Sequence, residues 1–252
     1  MTNTLWLFIG GVTLLAIQVA RDLKQGPFYF DLFIEQLYQV GIKSIPLVFL
    51  TALSIGMVMS LQFGMGLEKF GGKLYVPKLL ATIIIREIGP VFTSLMLAAR
   101  VGAGFASEIG SMVVTQQIDA IRALGTSPTR KIVFPRVLAC LVAVPILVAF
   151  SNIIGMAGGL LIGSTELGLD PHYYLLKTLS ALAMSDYLTG FFKAIFFSLF
   201  ISMTSCYYGL NVTDGATGVG LATTRAVVTS SILILIGDFF LSKLFWIIQK
   251  WG

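Results

Sequence analysis

Residues 44–67 read SIPLVFLTALSIGMVMSLQFGMGL, a run of 24 residues without a charged side chain. A helix that crosses the hydrocarbon part of a bilayer needs about 20 predominantly apolar residues. This run is long enough for such a helix, and no charge interrupts it. It therefore predicts a transmembrane helix over residues 44–67.

Four further apolar runs follow, at about residues 76–105, 132–163, 187–210 and 226–248. The whole chain is 56% hydrophobic and only 12% charged, whereas soluble domains are nearer one quarter charged. Pro135 and Pro145 favour bending in the third run, which is either one long helix or a broken one. The prediction is an all-α integral membrane protein with about five transmembrane helices in residues 44–252.

Residues 1–43 are predicted to form a separate, membrane-associated region. The apolar run at residues 5–20 is short for a span, and it lacks the basic start and the cleavage site of a signal peptide. It is interpreted as a retained helix that is embedded in the membrane or dips into it. From about residue 30 to 39, apolar residues recur at helical spacing opposite polar ones, which favours an amphipathic helix in the membrane interface.

The basic residues indicate how the spans are oriented, because cytoplasmic loops carry an excess of Lys and Arg. With the N-terminus inside, more basic residues fall near the cytoplasmic side than near the opposite one. The residues expected near the cytoplasmic side are Arg21, Lys24, Lys43, Arg122, Arg130, Lys131, Arg136 and Arg225.

Small residues recur along one face of the first span. Ala52, Gly56, Ser60 and Gly64 lie at successive four-residue steps, so they form a smooth stripe along the helix. Such a stripe allows another helix to approach closely. The sequence leaves open whether that helix belongs to the same chain or to a second subunit.

Four charged residues interrupt the apolar runs: Arg86 and Glu87 in the second, Lys193 in the fourth and Asp238 in the fifth. A charge near the centre of a membrane helix costs roughly 2.5–3.5 kcal/mol on insertion scales. We therefore expect these groups to pair or to face a hydrated cavity, and Glu87–Lys193 with Arg86–Asp238 is one complete pairing. The pairs either only hold helices together or also line a transport path.

Gly89 and Pro90 follow this charged pair directly. Proline has no backbone N–H and clashes with the preceding helical turn, so it disturbs the helix at this point. The dipeptide favours a hinge or a widened site beside Arg86 and Glu87.

The polar segment between the second and third runs is predicted to form one helix over about residues 107–124. Gly125 stands where a glycine would end that helix, and Pro128 prevents its continuation. A short amphipathic helix between two spans could lie flat on the membrane or dock into the groove of a partner.

Several kinds of chemistry are excluded by the residues that the chain contains. No Gly-x-x-x-x-Gly-Lys-Ser/Thr phosphate loop occurs, so the chain has no nucleotide site of that kind. Cys140 and Cys206 lie inside apolar runs, and His172 is the single histidine, so neither a metal site nor a disulfide framework is expected. The basic residues form no dense stripe, which argues against nucleic-acid binding.

Seven spaced motifs occur in one order along the chain: REIGP (86–90), ARVG (99–102), EIG (108–110), QIDAIRALGTSP (117–128), PR (135–136), ATTRAVV (222–228) and GDF (237–239). Together these motifs resemble the MlaE-type permeases of lipid-transporting ABC systems. The resemblance extends from about residue 38 to the last span, and the N-terminal helix matches only loosely.

This resemblance implies a permease that works as a homodimer with two cytoplasmic ATPase subunits, which carry ATP and Mg²⁺. It also implies phospholipids as cargo, an MCE-domain lipid-binding protein on the opposite face and the bacterial inner membrane as location, with the chloroplast inner envelope as the alternative. The 107–124 helix would then be the coupling helix that enters the ATPase cleft. Its coupling residues would be Glu108, Gln117, Asp119, Arg122 and Gly125.

Other functions remain open from the residues alone. An ion-driven secondary transporter or channel could use Glu87 and Asp238 as proton carriers, although no internal repeat of the kind common in such proteins is evident. An intramembrane enzyme is disfavoured because no known catalytic motif occurs. A purely structural scaffold would not need charges inside its spans.

Overall fold

The computed structural model describes residues 2–22 and 29–251, with side chains described from Trp6 onward, and every element in these ranges is helical. Lys24, one of the predicted cytoplasmic residues, lies outside the described residues. Five helical stretches are long and apolar enough to cross a membrane, which confirms the predicted fold class. They are Phe30–Glu68, Lys73–Val114, Thr129–Thr165, Met184–Leu210 and Gly215–Trp251.

The N-terminal region contains two helices, α1 (Thr2–Asp22) and α2 (Phe30–Val40). A short 3₁₀ turn, Ile42–Ser44, connects α2 to α3 (Ile45–Glu68), so α2 and the first predicted span form one helical stretch. On α2, the apolar side chains Phe30, Ile34 and Tyr38 are exposed. An exposed apolar face suits contact with lipid, as expected for an amphipathic membrane helix.

The second stretch is a helix interrupted twice by π-helical turns. It contains α4 (Val76–Ile83), α5 (Gly89–Leu97) and α6 (Ala103–Val114), separated by π turns at Ile84–Ile88 and Ala98–Gly102. A π turn holds one residue more than an α turn, so it changes the direction of the side chains around it.

The remaining elements are mostly long helices. Helix α7 (Gln117–Ala123) is short, and a π turn at Thr129–Val133 leads into α8 (Phe134–Thr165), which continues through Pro145 without a break. The predicted third run is therefore one long helix. The chain ends with α9 (Pro171–Ala181), α10 (Met184–Leu210) and α11 (Gly215–Trp251).

The helices contribute to two compact units. The first contains residues 1–43, 97–144 and 196–235, and the second contains residues 44–96, 145–195 and 236–252. In the first unit, the ring of Phe8 on α1 lies 5.4 Å from that of Tyr207 and 5.5 Å from that of Tyr208 on α10. Aromatic packing thus attaches α1 to its unit.

In the second unit, a buried apolar cluster joins α4 to α9. Leu80, Ile84, Leu169 and Tyr174 form its centre. Burial raises the pKa of the Tyr174 hydroxyl above its ordinary value of 10.0, so this side chain packs as a neutral group.

Candidate functional site: a buried charge cluster

Lys193 on α10 is the centre of a polar cluster in the second unit, and its side chain is completely buried. Its Nζ contacts a carboxylate oxygen of Glu87 and lies 2.9 Å from Oδ1 of Asp238. It also donates hydrogen bonds to Ser242 Oγ at 2.6 Å and to the carbonyl oxygen of Arg86 at 3.0 Å. The predicted Glu87–Lys193 pair is therefore confirmed.

Ser242 on α11 connects the two sides of this cluster. It accepts the hydrogen bond from Lys193, and its hydroxyl can donate to Oε2 of Glu87 at 3.1 Å. A buried ammonium group is tolerated only when its charge and its N–H donors are satisfied. Two carboxylates, a hydroxyl and a carbonyl meet that requirement at Lys193.

The predicted Arg86–Asp238 pair is wrong, because Arg86 pairs with Asp186 on α10. Arg86 Nε lies 3.4 Å from Asp186 Oδ1, and Arg86 Nη2 donates to Gln249 Oε1 at 2.7 Å. Gln249 in turn donates to Thr189 Oγ1 at 3.4 Å. The Arg86 guanidinium is thus engaged by groups other than Asp238, which is held by Lys193.

Asp186 was not predicted from the sequence to belong to this cluster, because it precedes the apolar run that begins near residue 187. A usable signal was present, since Asp186 lies seven residues before Lys193. Residues seven apart on a helix lie on the same face, two turns from each other. Asp186 brings the described acids of this cluster to three, against two bases.

Arg86 and Glu87 lie next to each other on the π turn Ile84–Ile88. The N–H of Gly89 donates to the carbonyl of Ile84, five residues earlier, and α5 then begins with Gly89 and Pro90. A side chain at Gly89 would overlap Oδ1 of Asn152. The predicted irregularity at Gly89–Pro90 is therefore present as a π turn, and hinge movement there stays a prediction.

The small-residue stripe packs α3 against α8 of the same chain. All four of its residues are buried, and Ser60 Oγ donates to the carbonyl of Gly159 at 3.0 Å. A side chain on Gly56 would overlap the carbonyl of Gly155, and one on Gly64 would overlap Leu167. The sequence left the partner open, and the structure assigns this face to contacts within the chain.

The α8 side of this contact was not predicted from the sequence. The carbonyl of Gly155 lies against Gly56, and a side chain on Gly158 would overlap the carbonyl of Leu53 on α3. Gly159 and Gly163 continue the four-residue step from Gly155, but side chains on them would overlap Leu80 on α4 and Tyr174 on α9. Small residues on both helices let the backbones of α3 and α8 approach closely.

The predicted helix over residues 107–124 is divided in the structure. Residues up to Val114 belong to α6, the chain turns at Thr115 and Gln116, and α7 then begins. Gln116 has a positive φ of 58°, which a non-glycine residue rarely adopts. The single helix is therefore a wrong prediction, and α7 is the separate part of it.

The predicted end of this helix at Gly125 is confirmed. Gly125 has a φ of 73°, the N–H of Thr126 donates to the carbonyl of Ile121, and the N–H of Gly125 donates to that of Arg122. This is the Schellman arrangement, in which glycine takes the left-handed position. It leaves the preceding Leu124 side chain 81% exposed.

The predicted coupling residues fall into two groups. Asp119 and Arg122 on α7 form an exposed pair with a distance of 3.0 Å from Oδ1 to Nη1, and Gln117 is exposed beside them. Glu108 lies on α6, where its carboxylate accepts a hydrogen bond from the buried Arg136 at 2.9 Å. This pairing gives Glu108 a structural contact within the first unit.

Within the described ranges, no group of three or more His, Cys, Asp or Glu side chains is placed to hold a metal ion. Cys140 and Cys206 are buried and are not joined by a disulfide.

The sequence matches the family model of the permease MlaE over residues 33–244. The chain belongs to the MlaE permease family. The matched residues include Arg86, Glu87, Lys193 and Asp238, whereas α1 precedes the match and Gln249 follows it. The loose resemblance at the N-terminus agrees with this boundary.

Individual relatives cover most of this MlaE-family chain. It is 40% identical over 237 residues to a probable ABC transporter permease protein of Rickettsia bellii, covering 94% of this chain and 92% of that protein. It is 32% identical over 217 residues to the intermembrane phospholipid transport system permease protein MlaE of Haemophilus influenzae (86% and 83% covered). It is also 35% identical over 234 residues to the chloroplastic protein TRIGALACTOSYLDIACYLGLYCEROL 1 of Arabidopsis thaliana (93% and 67% covered).

Family membership and the five apolar helical stretches together make this chain a multi-pass membrane protein.

Proposed function

We propose that this chain is the lipid-conducting membrane subunit of an ABC transporter of phospholipids. The observation that carries the proposal is the similarity, over 86% of the chain, to a Haemophilus permease whose name states intermembrane phospholipid transport. The chain works as a homodimer, because a five-helix bundle is small for enclosing a lipid-sized cavity.

The Lys193 cluster lies on helices long enough to span the membrane, and we propose that it borders the transport path. Ionisable residues inside membrane segments are costly, and they commonly face a hydrated cavity or a substrate route. Glu87, Lys193 and Asp238 come from three different spans, so relative movement of those spans would change their distances. This arrangement supports a role in the transport cycle in addition to holding the helices together.

Helix α7 is proposed to couple the permease to a separate ATPase that binds ATP and Mg²⁺. The geometry of α7 supports this proposal. The helix is bounded by two residues with a left-handed backbone conformation, Gln116 and Gly125, and its Asp119–Arg122 pair is exposed. The exposed Leu124 at its end offers an apolar contact of the kind that anchors protein interfaces. Glu108, which pairs with Arg136, would act by holding α6 in place.

The remaining parts of the proposal concern partners and location. An MCE-domain lipid-binding protein would bind on the face opposite the ATPase. The bacterial inner membrane is the proposed location, because permeases of Rickettsia and Haemophilus are among the relatives. The similarity to a chloroplastic protein makes a plastid envelope the alternative.

The deciding experiment is reconstitution of the chain in vesicles, with and without an ABC-type ATPase that co-purifies with it, using fluorescent phospholipids. We expect movement of phospholipid that requires ATP, Mg²⁺ and the ATPase. Transport without the ATPase that follows an imposed proton gradient would support the ion-driven alternative instead. Absence of any ATPase in gently purified samples would also contradict the proposal.

A further inference from the structure

A polar cavity of about 420 Å³ lies within the first unit. It is bordered by the end of α1, the end of α7 and the start of the Thr129–Thr165 stretch. Its chemically informative lining residues are Arg21, Asp22, Arg122, Ser127 and Thr129. None of the residues in the Lys193 cluster lines it.

One part of this lining suits a phosphate group. Arg21 and Arg122 contribute guanidinium groups, and Arg122 uses only Nη1 for its bond to Asp119, so other donors on it remain. Ser127 Oγ and Thr129 Oγ1 lie 2.6 Å apart, so one of the two hydroxyls donates a hydrogen bond to the other. The accepting hydroxyl keeps its own hydrogen, which it can donate to a ligand. Guanidinium groups and hydroxyls near the start of a helix are favourable partners of phosphate.

Another part of the lining suits a positive group. Asp22 borders the same cavity, and its buried Oδ2 has no hydrogen-bond partner among the residues that the structure describes. Buried polar atoms without a partner are rare and indicate a missing donor. A primary ammonium group can donate to this oxygen, whereas a quaternary ammonium group has no N–H to donate.

The apolar surroundings favour a lipid over a small soluble ion. Leu15, which is buried, and Leu210 also line the cavity, so acyl chains leaving it would meet apolar side chains. The cavity lies at the ends of α1 and of a candidate membrane span, where headgroups are expected.

We infer that this cavity binds a phospholipid headgroup that contains both a phosphate and a primary ammonium, as in phosphoethanolamine. The phosphate contacts Arg21, Arg122 and the hydroxyls, and the ammonium contacts Asp22. This binding site goes beyond the proposed function, because a lipid held here need not be transported.

The test is lipid retention by the purified full-length chain. The protein is taken from nanodiscs with equal amounts of phosphatidylethanolamine, phosphatidylglycerol and phosphatidylcholine, and its bound lipids are counted by native mass spectrometry. We expect wild type to retain phosphatidylethanolamine about fivefold over phosphatidylcholine. The double variant Arg21→Gln/Thr129→Val should retain about tenfold less of every phospholipid.

Two further variants separate the parts of the site. Asp22→Asn should remove the preference for phosphatidylethanolamine over phosphatidylcholine while total retention persists. Arg225→Gln, which changes an exposed arginine outside the cavity lining, is the matched control and should behave as wild type. Melting temperatures equal to that of wild type verify that each variant is folded.

Three results would overturn the inference. The first is equal retention of phosphatidylethanolamine and phosphatidylcholine by wild type, and the second is unchanged retention by the folded Arg21→Gln/Thr129→Val variant. The third is binding of free phosphoethanolamine by lipid-stripped protein without retention of any lipid. Since the test needs neither ATP nor a partner, a failure of the transport proposal would leave its outcome unaffected.

Discussion

At the scale of single residues, Lys193 shows how a membrane helix accommodates a fully buried charge. Its ammonium group is engaged by Glu87, Asp238, Ser242 and a backbone carbonyl. Each of these contacts comes from a helix other than α10, so the residue also joins three helical stretches. Removing its charge would leave two carboxylates close together without a base.

We predict that Lys193→Met lowers the free energy of unfolding by about 3–5 kcal/mol, because breaking a buried ion pair leaves uncompensated charge. The measurement is unfolding in detergent, followed by tryptophan fluorescence. Lys243→Met is the control, since Lys243 is exposed on α11 near Ser242. Equal stability of the two variants would show that the contacts of Lys193 contribute little.

A charge exchange tests the partner of Arg86. Arg86→Asp should reduce the yield of folded protein, and adding Asp186→Arg should restore part of it, because the two side chains are 3.4 Å apart. Adding Asp238→Arg to Arg86→Asp should restore nothing, since Asp238 contacts Lys193. The yield is measured by size-exclusion chromatography. If Asp238→Arg rescued the Arg86→Asp variant and Asp186→Arg did not, the result would support the Arg86–Asp238 pair expected from sequence.

The sequence predicted that the charged residues within the spans have partners of opposite charge, but it did not predict all of the pairs. The cost of charge in lipid requires partners for Arg86, Glu87, Lys193 and Asp238, whatever the tertiary arrangement. Which acid meets which base depends on the rotation and depth of each helix. Asp186 entered the cluster because α10 extends beyond the apolar run that marked it in the sequence.

At the scale of helices, close packing of α3 on α8 depends on small residues in both. We predict that Gly56→Ala lowers stability by about 1–3 kcal/mol, because the added methyl overlaps the backbone of Gly155. Gly66→Ala is the matched control on the same helix, where an added Cβ meets no atom within 4 Å. It should be neutral or gain up to about 1 kcal/mol from helix propensity.

Thermal unfolding of the two alanine variants in one detergent provides the comparison. A loss of stability in Gly56→Ala that is no larger than that in Gly66→Ala would mean that α3 and α8 can separate at little cost.

Helix α7 is the element through which the proposed coupling is tested. Asp119→Lys breaks the exposed pair with Arg122 and places a positive charge in the first turn of the helix, where it is unfavourable. We expect ATP hydrolysis by the assembled complex to continue while lipid movement falls at least about tenfold. Both rates are measured on the same vesicles.

Glu166→Lys is the control for Asp119→Lys, because it reverses an exposed acidic residue between α8 and α9. Lipid movement at the wild-type rate in Asp119→Lys would count against a coupling role for α7.

The break before α7 had no clear signal in the sequence, because Gln116 is not a residue type that commonly takes positive φ.

At the scale of the whole molecule, the proposed transporter requires two copies of the chain. We predict that the chain, produced and purified without partner subunits, has a polypeptide mass of twice 27.3 kDa, measured by light scattering with detergent subtracted. Dilution should not release a monomer if each copy completes the path of the other. A stable 27.3 kDa monomer that still transports lipid with its ATPase would contradict this prediction.

The sequence by itself determined the fold class, the number of spans and the family. These depend on properties that belong to a segment alone: the length of an apolar run against bilayer thickness, and the order of motifs along the chain. The glycine that ends α7 belongs with them, because the left-handed conformation at Gly125 is a local backbone requirement.

Only the tertiary structure decided the partner of Arg86, the contact of the α3 stripe with α8 and the pairing of Glu108 with Arg136. Each depends on how helices distant in sequence are rotated and displaced against one another. A rotation of 100° per residue turns a small error in helix register into a different set of neighbours. Side-chain contacts between helices are therefore set by packing, whereas the helices themselves are set by the apolar runs.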